Sequence, residues 1–111
     1  MSTIKALKGA PDKSIGLFAE SASITELPDQ EHMDGLVQIY QHALQEADEK
    51  QASTLVFPSL PLADPASRMF QVINTLYKTM RDFQDTHKYP EEIRIYCEDD
   101  RILNLYMVVW N

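Results

Sequence analysis

With 111 residues, 44% of them hydrophobic and 24% charged, the chain has the make-up of one globular domain, residues 1–111, burying roughly two-thirds of its unfolded surface. A formal net charge of −7 disfavours broad contact with nucleic acid, whose affinity comes from Lys and Arg neutralising phosphates. No apolar run approaches the ~20 residues of a membrane span, residues 1–5 lack a signal-peptide pattern, and one cysteine with three scattered histidines has neither disulfide nor metal spacing; a cytoplasmic, reducing setting without cofactor is expected.

Residues 1–13 read as a short N-terminal extension or edge strand. Thr3 to Leu7 alternates apolar and polar side chains, with Lys5 and Lys8 guarding the edge. Gly9-Ala10-Pro11-Asp12 reads as a turn. Ser14 to Ala19 is a short apolar run with strand character, and Gly16 within it points to another backbone passing close by. From about Asp29 to Lys50 the pattern is helical: Met33, Leu36, Val37, Tyr40, Ala43, Leu44 and Ala47 form one stripe. His32 and His42 fall off that stripe and read as solvated surface residues.

Ser53 to Phe57 shows no polar alternation, which predicts a central strand covered on both faces. A proline-punctuated loop follows, ending at Asp64, a good N-cap, and Pro65, suited to a first helical position. The second helix runs to about Asp85 on the stripe Ala66, Met69, Phe70, Ile73, Leu76, Tyr77, Met80 and Phe83. Thr86 to Pro90 breaks it. Glu92 to Cys97 alternates and reads as a strand nearer an edge, with Cys97 a buried small hydrophobe. The remainder predicts a helix to about Tyr106, while Tyr106 to Trp110 has strong strand propensity. Strands alternating with long helices predict an α/β fold, a small three-layer α/β/α sandwich around a mainly parallel sheet of three to four strands.

The run Leu36-Val37-Gln38-Ile39-Tyr40-Gln41-His42-Ala43-Leu44-Gln45-Glu46-Ala47, followed by Ser53-Thr54-Leu55-Val56-Phe57-Pro58-Ser59-Leu60, resembles the macrodomain family. There, a helix with a Tyr, Ala-Leu and Ala pattern precedes a strand ending in Phe-Pro and a small-residue turn. The resemblance covers residues 14 to 106 and implies a fold that binds ADP-ribose and in some members hydrolyses it from proteins. The departures bear on that function. The family's diphosphate loop is longer and contains glycines, whereas Ser59 to Pro65 has none and Pro61 removes a donor. Asp64 adds a negative charge, and Glu98 stands where many members place an aromatic residue on the adenine side. The Asn- and Gly-rich segment that contacts the distal ribose is expected to be missing before Ser14.

The resemblance therefore implies a truncated, macrodomain-like and non-catalytic binding module in which ADP-ribose or nucleotide binding is weakened or lost. Its candidate ligand residues are Pro58, Ser59, Leu60, Leu62, Asp64 and Glu98. The alternative from composition is a small acidic interaction factor, such as an inhibitor, immunity-type protein or complex subunit. ADP-ribosyl hydrolysis is the remaining, least favoured reading. Expected partners are an ADP-ribose-like nucleotide, another protein or a second copy of the chain, not nucleic acid or membrane. Either Thr3 to Leu7 completes the sheet or a second copy covers the exposed edge, and a dimer or hetero-complex is expected.

Overall fold

The computed structural model describes residues 2–63 and 65–110. The chain is an α/β protein built on a four-stranded, wholly parallel sheet. The strands are β1 (Thr3–Lys8), β2 (Leu17–Phe18), β3 (Thr54–Pro58) and β4 (Glu92–Cys97), and the helices are α1 (Met33–Glu49), α2 (Ala66–Thr86) and α3 (Asp100–Trp110). Single 3-10 turns at Glu20–Ala22 and Gln30–His32 lie between β2 and α1. Across the sheet the order is β1-β4-β3-β2.

This order decides where the helices lie. β2–α1–β3 and β3–α2–β4 each step one strand along the sheet in the same direction. Right-handed crossovers then put α1 and α2 on the same face. α1 packs on α2 and α2 on α3, forming one row. Beneath it the core gathers Leu55, Phe57, Ile93, Ile95 and Cys97 from the interior strands, with Tyr40, Leu44, Ile73, Met80, Ile102 and Tyr106 from the helices. Ile4 and Ala6 of β1 and Leu17 of β2 join its margin.

The third layer of the expected sandwich is accordingly not helical. On the opposite face, Glu92, Arg94 and Tyr96 are only half-buried. Arg94 donates to Glu92 at 2.7 Å and to the Tyr96 hydroxyl at 3.3 Å, and Lys5 closes on Glu92 at 3.1 Å. Although burial alone would raise it, these partners hold the Glu92 carboxyl below its ordinary value. Val56 is fully buried on this face yet stands outside the main core. Residues 9–16 connect one edge of the sheet to the other and bring Asp12 within the field of Arg94. Gly9, at φ +122, turns the chain off β1 in a region that favours glycine. Lys13 lies over the Phe18 ring, 4.6 Å from its centroid.

β1 completes the sheet from the edge, as one of the two expected alternatives had it. β3 is central, hydrogen-bonded to β4 on one side and β2 on the other. β4, expected nearer an edge, is the other interior strand. Its alternation reflects one face under helices and one under polar side chains, so it carries no information about edge position. α3 continues to Trp110 despite the strand propensity of its tail, because Trp110 packs on Tyr106 at 5.0 Å and Tyr77 at 5.5 Å. Gln84, unremarked in the sequence, is buried and donates to the carbonyls of Thr3, Pro90 and Glu91. It ties the end of α2 to the start of β1 and β4.

Candidate functional site

Parallel sheets hold ligands at the carboxyl ends of their strands. β3 and β4 are neighbours, so Pro58, Ser59, Leu60 and Glu98 come to the same end of the sheet. Pro58 closes β3 opposite Tyr96, and Ser59 is half-buried. Leu60 is 1% exposed, and its N–H donates to the Tyr106 hydroxyl at 3.1 Å. Leu62 projects into solvent, 44% exposed. Asp64, with its expected capping role, lies outside the described residues.

The α3 end of this loop cluster is also self-satisfied. Asp99 accepts the Arg101 N–H at 2.8 Å and the Arg101 guanidinium at 2.7 Å. The guanidinium first, and the N–H after it, hold the Asp99 carboxyl down at about 2. A helix N-terminus draws anions through free N–H groups; here a carboxylate of the chain already stands there. Lys8 donates to the Glu98 carbonyl at 2.8 Å and pairs with Asp100 at 2.8 Å. The Leu60 and Arg101 N–H groups are thus turned to internal partners, and Glu98, Asp99 and Asp100 add negative charge at this end of the sheet.

Tyr106→Phe tests this construction. It strands the buried Leu60 N–H without a partner and lowers stability by about 1–3 kcal/mol. Hydrogen exchange should show the Leu60 amide losing protection beyond what the global change explains.

Cys97 closes β4 at this same end of the sheet but is sealed inside. It is fully buried, and burial pushes its thiol up to about 12, only partly offset by the charge of Lys8. At pH 8 only about one molecule in ten thousand would carry the thiolate. A thiol reagent should therefore leave the native protein unmodified and react fully once urea unfolds it. Among the described residues, no three His, Cys, Asp or Glu side chains come together to hold a metal ion.

The open space lies elsewhere. Three contiguous hollows of about 580, 210 and 240 Å³ run along one flank of α1, against Lys13 and residues 18–28. Ser21 and His42 line both the first and second hollows, and Gly35 and Ile39 both the second and third, so the three form one groove. Ala22, fully buried, pins the 3-10 turn that makes its outer wall. Phe18 marks one end; Ile24, Pro28 and Leu36 mark the other.

Charge singles out the same region. Residues 14–49 hold Glu20, Glu26, Asp29, Glu31, Asp34, Glu46, Asp48 and Glu49 and not one Lys or Arg. The rest of the chain is nearly balanced, so the net charge of −7 is concentrated here. The sequence reading took the net charge as a whole and missed this; sign counted along the chain carries the signal. His42, read as a solvated residue, is exposed and forms part of the groove wall. No protein-family model matches the chain, and no curated protein does.

Proposed function

We propose that this chain is a non-catalytic binding module, macrodomain-like in the order of its elements, whose nucleotide affinity is lost and whose working ligand is another protein. The observation that carries the reading is the Leu60 N–H committed to Tyr106 in a glycine-free loop whose neighbouring helix is capped by Asp99. Backbone amides cradle phosphate only when they are free and aimed outward. In place of that cradle the chain offers a groove along α1 whose carboxylates, Glu20, Glu26 and Glu46, outnumber its one lysine, Lys13. Complementary charge steers encounter with a partner and rejects partners of like charge.

A calorimetric titration with ADP-ribose tests the first half. No saturable heat up to about 1 mM ligand is expected, a limit equivalent to roughly 4 kcal/mol of binding. Saturation below that limit, abolished by Ser59→Trp in the loop, would show that the nucleotide site is intact.

A further inference from the structure

We propose that the groove beside α1 receives a basic, amphipathic segment of the partner protein, an inference resting on the protein-partner reading above. From Gly35 to Glu46 the helix wall extends about 17 Å. That length seats about three turns of a partner helix. The floor is apolar, with Ile24, Leu36 and Ile39 available to one face of such a segment. Glu20 and Glu46 stand at one end, with Lys13 beside them, and Glu26 at the other.

These rim carboxylates differ from three elsewhere in the molecule that the chain itself neutralises. Glu92, Asp99 and Asp100 are each paired with a Lys or Arg. Neither Glu20 nor Glu26 has an ion partner among the described residues, and Glu46 meets only the exposed Lys50 at 3.7 Å. A surface that only keeps a protein soluble mixes its signs. Three carboxylates against the single Lys13, which lies over the Phe18 ring, leave the groove complementary to lysine and arginine, whose aliphatic stems cover apolar surface while their charged ends reach the rim.

Gly35 adds a separate indication. Glycine is a poor helix former, yet it stands in the first turn of α1, where it lines two of the three hollows. A Cβ built there meets no atom within 4 Å. The fold therefore has no need of a glycine at this point, and its absent side chain leaves the groove open for an incoming one.

The test uses a fluorescent helical peptide with leucines on one face and lysines on the other, and a counterpart with glutamates for the lysines. Anisotropy should report binding of the lysine peptide alone, weakened about tenfold or more when salt rises from about 50 to 200 mM. Gly35→Phe should weaken it about tenfold while leaving the melting midpoint unchanged or higher. Glu20→Lys, Glu26→Lys and Glu46→Lys together should nearly abolish it. The control triple Asp82→Lys, Asp85→Lys and Glu91→Lys makes the same change in net charge at exposed positions away from the groove and should retain most of the affinity. Equal loss in both triples would reduce the attraction to net charge and overturn the site. Binding indifferent to Gly35→Phe would also overturn the site, leaving the protein-partner reading in place. Binding of neither peptide would overturn the basic-segment assignment; if ADP-ribose then saturates the protein, the broader reading falls with it. A dimer in sedimentation that Gly35→Phe dissociates would make a second copy the occupant and contradict the basic partner.

Discussion

Phe57→Ala is expected to lower the unfolding free energy by about 4 kcal/mol and the melting midpoint by roughly 20 °C. Phe57 is fully buried in an interior strand, and its ring stacks on Tyr40 with centroids 4.5 Å apart and planes 6° from parallel. Truncation removes the burial of a large aromatic, the stacked pair worth about 1 kcal/mol beyond that burial, and the atoms that fill the space. The site cannot readily collapse. β3 is bonded to a strand on each side, so its backbone has no direction in which to sink toward the cavity. With total stability of about 5–15 kcal/mol for a domain of this kind, the variant would be marginal at 37 °C. Urea unfolding at constant slope would measure the change. A loss below about 1 kcal/mol would mean that the Tyr40–Phe57 contact is not the centre of the core.

Gly16→Ala should cost about 3 kcal/mol, at the upper end of what overpacking does. The reason is steric rather than conformational. A Cβ at Gly16 would collide with the carbonyl oxygen of Thr54 and press on its Cβ. Thr54 begins β3 and is held in the ladder with β4, so the obstacle is backbone that cannot rotate away. The added methyl must instead push β2 off the sheet, where it is held by Leu17 and Phe18 and by the Ala19 N–H donating to the Val56 carbonyl at 2.9 Å. Gly35→Ala provides the contrast. With open space around it and helical backbone on both sides, it should raise stability by up to about 1 kcal/mol. Thermal melts of the two variants should move in opposite directions; a Gly16→Ala protein as stable as the parent would refute the close approach of residue 16 to β3.

Much of this architecture was legible in the sequence because its signals are local. The stripe from Met33 to Ala47 gave α1, the unbroken apolar run gave β3 its interior place, and Gly16 marked the close backbone approach. The layering was not local information. Whether α1 and α2 share a face depends on the direction in which successive strands are laid down, which periodicity does not record. The interior place of β4 was hidden for a related reason. Glu92, Arg94 and Tyr96 look like a solvated edge face, but in the fold they pair with one another, with Lys5 and near Asp12. The tail from Tyr106 to Trp110 shows tertiary packing overriding β-propensity: four residues apart on a helix, Tyr106 and Trp110 meet, and Trp110 packs on Tyr77.

The candidate site divides along the same line. The position of the loop after Phe57 was readable from strand order, and its missing glycines were readable directly. That the Leu60 N–H is spoken for by Tyr106, 46 residues away, was not. The groove was invisible as a shape because residues 18–28 and α1 meet only in the fold, although the run of one charge sign through them lies open in the sequence.

Amide chemical shifts of the labelled protein, followed during titration with the leucine–lysine peptide, separate the two surfaces most directly. The predicted result is movement confined to residues 18–28 and 35–46, with 58–62 and 98–101 unmoved. Movement at 58–62 and 98–101 instead, with the flank of α1 silent, would contradict the assignment and return the working surface to the strand-end loop.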